Sequence, residues 1–158
     1  MESNFDTINK TRGKLPSLPL VLMKEGILGK SYYLSLAFVG EKKSRELNKQ
    51  YRGKDNATNI LSFVFSKSEG EIIICLPVVK REAKDKSKNR GKNFEKYLQF
   101  IVIHGMLHLK GMQHSSKMDR AEEFYCKKYD QKHFNRNRLG NSHDESGSGR
   151  ISKRRKKS

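Results

Sequence analysis

Hydrophobic and polar residues repeat along this chain with two periods, one typical of strands and one typical of helices. Between Tyr32 and Val39, the apolar side chains of Leu34, Leu36 and Phe38 occupy every second position, which predicts a half-buried strand. Short apolar runs predict further strands, and apolar spacings of three and four predict helices. The predicted strands cover residues 5–8, 32–39, 60–65 and 71–76, and the predicted helices cover residues 18–28, 41–51, 94–109 and 117–133, with a further helix opened by Pro77. The inner side of the last helix is predicted to carry Ala121, Phe124, Tyr125 and Lys128.

The helix predicted over residues 94–109 is apolar on most of its sides. Tyr97, Leu98 and Ile101 mark one stripe, and His104 and His108 continue it. A helix with this pattern is typical of the centre of a protein. Because a buried imidazole needs a polar partner, the two histidines require a ligand or hydrogen bonds inside the core.

Three of the five histidines fall within one segment of eleven residues, 104–114. His104 and His108 are one helical turn apart on the same face. Gly111 follows, and glycine most readily ends a helix by adopting positive φ, so the chain can return His114 to the same point. Three neutral imidazole nitrogens are the usual protein share of a catalytic zinc site. We therefore expect one Zn²⁺ per chain at these three residues, rather than three histidines satisfied by ordinary hydrogen bonds.

The same spacing, H-x3-H-x5-H, also matches the ligands of metzincin peptidases. Those enzymes carry glutamate directly after the first histidine as their general base. This chain has Gly105 there, which can accept no proton. A zinc peptidase is therefore the weaker alternative.

The composition of the chain indicates a polyanionic partner. The chain has 158 residues, enough for one domain, and its 34 Lys and Arg against 17 Asp and Glu give a net charge of +17. Nucleic acid and anionic membranes are the partners that such a charge suits. We expect no membrane segment, because no apolar run approaches ~20 residues. The N-terminus lacks signal-peptide features and the two cysteines, Cys75 and Cys126, suggest no disulfide framework, so a cytoplasmic location is expected.

The composition changes after about Phe134. Residues 135–158 contain Leu139 and Ile151 as their only aliphatic residues, so they cannot build a core, and a disordered basic tail is predicted. The predicted domains are therefore residues 1–134 and the tail, 135–158. The tail is interpreted either as a solubilising extension or as an RNA-binding arm. Its terminal cations are Lys153, Arg154, Arg155, Lys156 and Lys157.

Two segments carry a resemblance to a known family. Residues 104–114, HGMLHLKGMQH, resemble the signature HGxLHLxGYDH of the YbeY family of rRNA-maturation endoribonucleases, and depart from it at Met112 and Gln113. Residues 47–63, LNKQYRGKDNATNILSF, resemble the family pattern LNxxYRGKDxPTDVLSF. The predicted strand 71–76 is similar to the family's GDIVI strand, with Glu71 in place of aspartate. The resemblance covers about residues 15–130 and does not reach the tail.

The resemblance implies a fold and an activity. The fold is a single α/β domain, with a mixed sheet of about four strands packed with helices around a central metal-site helix. The activity is zinc-dependent, single-strand-specific cleavage of RNA in 16S rRNA maturation and ribosome quality control. The implied partners are the 16S rRNA precursor and the small ribosomal subunit, while the oligomeric state stays open. The family's essential arginine corresponds to Arg52, and the candidates for further RNA contact are Lys54, Lys110 and the five terminal cations.

The implied mechanism joins the metal to this arginine. Zinc would lower the pKa of a bound water or polarise a phosphoryl oxygen, and Arg52 would hold the phosphate with two donors. Asn59 and Gln113 stand where the family usually has aspartate, so both are expected beside the metal ligands, where their amides replace a more strongly accepting carboxylate. A second alternative is a non-enzymatic ribosome-binding factor whose structural zinc is closed by Cys75 or Cys126.

Overall fold

The computed structural model describes residues 4–130. One compact unit ends at Cys126, and a second begins at Lys127. The predicted strands and helices are confirmed, with ends that differ by a few residues. In chain order the elements are β1 (Phe5–Asn9), α1 (Leu20–Ile27), β2 (Tyr33–Val39), α2 (Glu41–Arg52), β3 (Ile60–Ser66), β4 (Glu69–Cys75), α3 (Leu76–Lys84), α4 (Phe94–Leu109) and α5 (Ser116–Lys128). The predicted tail and the predicted boundary at residue 134 lie outside the described residues.

The four strands form one mixed sheet in the order β1-β2-β4-β3. β1 pairs with β2 and β2 pairs with β4 in parallel, while β3 and β4 form an antiparallel hairpin. The parallel pair β2 and β4 needs a crossover, and the chain makes it through α2 and β3. The α/β class and the mixed four-stranded sheet are therefore confirmed.

Helix α4 lies at the centre of the fold, as predicted. Eleven of its sixteen residues are buried. Its N-terminus is capped by Asn93, whose side chain accepts a hydrogen bond from the backbone N–H of Lys96 at 2.9 Å. The helix packs on the sheet face that carries Ile72 of β4, and this face also buries Leu34 and Leu36 of β2. The apolar residues that alternate along β2 therefore lie on the buried face of the sheet, the face on which α4 packs.

A glycine allows α4 to approach the sheet closely. A Cβ atom at Gly105 would lie 2.6 Å from Cδ1 of Ile60 and 3.2 Å from Cδ1 of Ile72. The first separation is shorter than real carbon–carbon contacts and the second is tight, so a side chain at position 105 would require the two isoleucine side chains to shift or the helix to move away from β3 and β4. Position 105 therefore faces the sheet, one residue after the first histidine.

The predicted inner side of α5 is wrong. Phe124 is 60% exposed, whereas Met118 and Glu122 are 0% and 4% exposed. The interpretation assumed that apolar residues of an amphipathic helix point inward, but here a charged residue shares the buried stripe with Met118. The helix also ends at Lys128, before the predicted end at His133.

None of the helices between residues 4 and 130 is long and apolar enough to cross a bilayer.

Candidate metal centre

The C-terminus of α4 ends in a glycine turn that brings the third histidine back to the helix. Gly111 has φ +99°, as its predicted helix-ending role requires. Its N–H donates to the carbonyl of His108 at 2.9 Å, and the N–H of Met112 donates to the carbonyl of Leu107 at 3.0 Å. These two bonds are the Schellman pattern, which reverses the chain direction after a helix. His114 follows three residues after the glycine.

The structure brings His104, His108 and His114 together. Their ring centroids are 4.5, 4.8 and 5.1 Å apart, and one nitrogen of each ring lies within 4.8 Å of the other two. His104 and His108 are half-buried, and His114 is exposed. Within residues 4–130, this is the only group of three or more histidine, cysteine or acidic side chains whose ligand atoms converge in this way.

Hydrogen bonds at Nδ1 set the tautomers of two rings. Nδ1 of His108 lies 3.0 Å from the carbonyl oxygen of Met112, which can only accept, so this nitrogen carries the proton and donates it. Nδ1 of His104 lies 3.1 Å from Oε1 of Glu122 and donates to that carboxylate. In the neutral rings, the free lone pair of each histidine is therefore on Nε2.

The two Nε2 atoms face each other at 3.0 Å. Two lone pairs at this distance repel unless a cation or a proton lies between them. Two ligands on a tetrahedral zinc at about 2.0–2.1 Å are about 3.3 Å apart, close to this separation. Burial and the neighbouring His104 ring lower the pKa of His108, which favours the neutral form that a metal ligand needs. The donor set therefore fits a zinc ion.

The carboxylate beside this group is Glu122, which the sequence interpretation missed. Its residue is 4% exposed, and its Oε2 has no hydrogen-bond partner within the described part of the chain. Nη1 of Arg90 lies 3.9 Å from that atom. A buried carboxylate that accepts from the far nitrogen of a ligand histidine fixes the ring and raises its basicity. One feature of the sequence could have indicated its burial: Glu122 lies four residues after Met118, on the same helical face.

Asn59 and Gln113 have other contacts. Nδ2 of Asn59 donates to Oε2 of Glu82 at 3.1 Å, and the hydroxyl of Tyr97 donates to the same oxygen at 2.7 Å. Burial and this hydrogen bond raise the pKa of Tyr97, so its hydroxyl stays protonated. Gln113 is exposed, and its backbone carbonyl accepts from the Ser115 hydroxyl. Among the described hydrogen bonds, neither amide side chain meets a ligand histidine.

Arg52 and the histidines line one cleft of about 690 Å³. Arg52 is the last residue of α2, and Gly53 ends the helix with φ +69°. Its exposed guanidinium forms no ion pair with any residue between 4 and 130, so its donors remain available to a ligand. Asn59 also lines this cleft, whereas Lys54 and Lys110 are exposed but do not line it. The five terminal cations lie outside the described residues.

A second hollow of about 430 Å³ adjoins the cleft. His104 and His114 line both spaces, together with Asn59 and Ile60. The hollow is also lined by Ser87, Lys88 and Arg90 of the loop between α3 and α4, and by three carboxylate residues, Glu82, Asp119 and Glu122. The histidine group therefore contributes to two spaces, one lined by Arg52 and one lined by this loop.

The cysteines do not close the histidine group. Cys75 lies at the end of β4 and is 1% exposed, and burial raises the pKa of its thiol. Burial also raises the pKa of Cys126, to about 11. Neither sulfur is among the converging ligand atoms, and both thiols stay protonated near neutral pH. Three protein ligands are typical of a catalytic rather than a structural zinc site.

The geometry at Gly105 also bears on the peptidase alternative. A peptidase of this ligand pattern needs its glutamate at this position to reach a substrate water. In this chain, a Cβ atom at position 105 would lie against the side chains of Ile60 and Ile72 of the sheet. A glutamate at position 105 would therefore require these isoleucine side chains to move.

Comparisons with known proteins agree with these features. The sequence model of the family described as Endoribonuclease YbeY matches residues 12–135. The Endoribonuclease YbeY of Aromatoleum aromaticum is 45% identical over 93 residues, which is 57% of this chain and 57% of that protein. The Endoribonuclease YbeY of Cupriavidus necator is 33% identical over 124 residues, which is 75% of this chain and 61% of that protein. The chain thus spans about half to three fifths of the length of the curated relatives it matches.

The fold has a similar solved structure. The solution structure of the Thermotoga maritima protein TM1509 superposes with a TM-score of 0.54 and 27% sequence identity. The match covers 77% of this chain and 86% of that one. The sequence match includes the three histidines, the turn at Gly111, and Arg52 in the cleft, since all lie between residues 12 and 135. On this basis the chain belongs to the YbeY family.

Proposed function

We propose that this protein is a metal-dependent endoribonuclease that cleaves single-stranded RNA, with one Zn²⁺ held by His104, His108 and His114. The observation that carries the proposal is the pair of Nε2 atoms that face each other at 3.0 Å. They open into a cleft that also contains the available guanidinium of Arg52. Three ligands leave one coordination position for water or substrate.

Each part of the site has a distinct task in this proposal. When bound, the ion supplies a Lewis acid that polarises a phosphoryl oxygen and lowers the pKa of a coordinated water. Arg52 binds the phosphate through two parallel N–H donors and stabilises the negative charge that develops during displacement. Glu122 holds the His104 ring in the tautomer that keeps Nε2 free.

The proposed substrate is the 16S rRNA precursor on the small ribosomal subunit, in rRNA maturation and ribosome quality control in the cytoplasm. The net charge of +17 supports a polyanionic substrate, and the matching relatives are named endoribonucleases. We assign the cleaving domain to residues 1–134. The tail, 135–158, is proposed as an arm that binds RNA through its cations, because such a charged segment attracts phosphates without positioning reacting atoms.

The test is a comparison of substrates with the purified 158-residue chain. Zinc-loaded protein is incubated with a single-stranded RNA, the same RNA annealed to its complement, and casein, and His114→Ala is the inactive reference. Fragments from the single strand alone, absent with His114→Ala, are the expected result. Cleavage of casein but not RNA would favour the peptidase. Stoichiometric zinc without any cleavage would contradict the enzyme and favour the binding factor.

A further inference from the structure

We propose that residues 84–92, the last residue of α3 and the loop that follows it, form a second phosphate-binding site, centred on Arg90, for the part of an RNA strand that leaves the histidine cleft. The inference rests on the proposed function in one respect, the choice of single-stranded RNA as the ligand. The role assigned to this loop is separate from metal binding by the histidines and from phosphate binding by Arg52.

The charge of the loop is the first observation. Residues 84–92 contain five cations and a single carboxylate, Asp85. Asp85 is engaged within the loop, because its Oδ1 accepts from the backbone N–H and the hydroxyl of Ser87 at 2.9 and 2.6 Å. These bonds lower the pKa of the Asp85 carboxyl. Within this segment, the cations are therefore little neutralised, and the acidic residues near Lys88 and Arg90 are those of the hollow, Glu82, Asp119 and Glu122. The cations are Lys84, Lys86, Lys88, Arg90 and Lys92.

The loop is also ordered by its own hydrogen bonds. Nδ2 of Asn89 donates to the carbonyl of Ala83 at 2.9 Å, while Oδ1 of Asn89 accepts from the N–H of Gly91 at 2.9 Å. The N–H groups of Lys88 and Asn89 donate to the carbonyl of Asp85. A site whose backbone is already fixed loses less conformational entropy when a ligand binds. The cations are therefore displayed on a preorganised segment.

Arg90 has an unusual conformation within this loop. Its φ is +54°, in the left-handed region that disfavours side chains other than glycine, asparagine and aspartate. This backbone places the guanidinium carbon 4.8 Å from the centroid of the Phe100 ring, and Lys92 Nζ lies 5.8 Å from the same centroid. Backbone strain of this kind persists where surrounding contacts hold it, and it is frequent at ligand sites. The stacked guanidinium keeps its outer edge free, since the Arg90 side chain is 58% exposed.

The position of Arg90 connects it to the candidate metal centre. Arg90 and Lys88 line the hollow of about 430 Å³ that His104 and His114 also line. Arg52 lines the larger cleft, which shares His104 and His114 with the hollow. A strand whose scissile phosphate lies at the histidines carries further phosphates in both directions. Arg52 is placed for the reacting phosphate, and Arg90 for a phosphate that follows it along the hollow.

A purely structural role would be to neutralise Glu122. Nη1 of Arg90 lies 3.9 Å from Oε2 of Glu122, too far for a hydrogen bond, and that oxygen has no hydrogen-bond partner among residues 4–130. If neutralisation were the role of Arg90, its loss would alter zinc affinity through Glu122 and His104. If Arg90 binds phosphate, its loss alters RNA affinity and leaves zinc affinity unchanged. These two readouts separate the two roles.

The experiment measures binding of a fluorescein-labelled, single-stranded oligouridylate to the zinc-loaded 158-residue chain over a series of salt concentrations. Arg90→Asn removes the charge and keeps a residue that tolerates positive φ. Arg12→Asn is the matched control, the same change at an exposed arginine that lines neither histidine space. Gel electrophoresis after each titration checks that the oligonucleotide is intact.

Loss of one phosphate contact reduces the slope of log affinity against log salt by about 0.7, which is roughly fivefold in affinity at about 0.1 M salt. We expect this loss for Arg90→Asn and no comparable loss for Arg12→Asn. Oligonucleotides with a single uncharged methylphosphonate linkage then locate the contact. The linkage whose neutralisation weakens binding to the unmodified chain should have no effect on Arg90→Asn.

Arg90→Gly guards against a folding defect, because glycine suits the backbone conformation at this position. It should show the same loss of RNA affinity with an unchanged melting temperature. Equal slopes for Arg90→Asn and Arg12→Asn overturn the inference, as does an effect confined to zinc affinity. RNA binding that depends on Arg90 without any cleavage leaves the inference standing and refutes the proposed activity. RNA cleavage with equal RNA affinity in Arg90→Asn and the unmodified chain supports the proposed activity and refutes the inference. A chain that binds no single-stranded RNA refutes both.

Discussion

The histidine group and the residues that surround it are assembled over different distances along the chain. His104, His108 and His114 lie within eleven residues, and one helix and one glycine turn bring them together. Glu122, which holds His104, comes from α5, and Arg52 comes from the far end of α2. The convergence of the three histidines is thus set by local sequence. The orientation of His104 and the position of Arg52 in the cleft depend on tertiary packing. Substitutions in the two regions should therefore fail in different ways.

The largest effect is expected inside the histidine group. His108→Ala removes one of the two facing Nε2 atoms, and alanine preserves the helix. Two remaining histidines cannot hold zinc with useful affinity, so both the metal and RNA cleavage should be lost. Metal analysis of the purified protein and a cleavage assay measure this. Gln113→Ala is the control, since this exposed residue belongs to the same turn, and it should retain zinc. Stoichiometric zinc in His108→Ala would contradict the three-histidine site.

Arg52 should show the opposite combination, with the metal kept and the activity lost. Arg52→Lys retains the positive charge but loses the planar pair of donors that matches a phosphate. Removal of one such transition-state contact typically costs about 10²–10³-fold in rate. We expect a loss of this size in single-turnover cleavage, with unchanged zinc content.

The same helix offers a matched control for Arg52. Arg45→Lys makes the same exchange at an arginine that pairs with Asp55 at 2.8 Å, away from the histidines. Its cleavage rate should equal that of the unmodified chain. Full activity in Arg52→Lys would remove this residue from the mechanism.

The difference between the two regions also explains what the sequence could predict. The strand alternation in β2 and the helix before the histidines follow from periods of two to four residues, and the turn at Gly111 follows from a single glycine. The family resemblance supplied Arg52, whose position in the cleft depends on how α2 packs beside β3. No local period could show that Glu122 meets His104, because the two residues are 18 positions apart and on different helices.

Asn59 and Gln113 illustrate the limit of reasoning from motif positions. Both were expected beside the ligands because the family has carboxylates there. Asn59 lines the cleft but donates to Glu82, and Gln113 is exposed beyond the glycine turn. The carboxylate beside His104 comes from a helix whose apolar residues suggested a different inner face. The sequence of α5 alone did not indicate that Glu122 is buried. Its role became clear only from its contact with His104.

Glu122 should control zinc affinity rather than zinc stoichiometry. Glu122→Gln keeps an oxygen acceptor for Nδ1 of His104 but removes the charge that raises the basicity of the ring. Such partners of metal ligands are typically worth about 10–100-fold in affinity. Competition with a chelator measures the loss, and activity should recover when zinc is saturating. Glu123→Gln, the same change at the exposed next residue, should leave the affinity unchanged. Equal affinities for the two variants would contradict the role of Glu122.

The smallest effect is expected at Gln113, although it is the position closest to a ligand in the family motif. Gln113→Asp restores the family's carboxylate, but an exposed side chain that meets no ligand histidine among the described hydrogen bonds has little influence through water. Zinc affinity should therefore change by less than about twofold, well below the effect expected for a direct partner. The sharper measurement is the double variant Glu122→Gln, Gln113→Asp, titrated with the same chelator. If the carboxylate at position 113 could replace the one lost at position 122, the double variant would regain affinity. We expect no recovery. Nδ1 of His104 faces Glu122 of α5, whereas residue 113 of the turn is exposed to solvent. A tightening of ten-fold or more, within the range of about 10–100-fold for such partners, would place residue 113 beside the ligands after all.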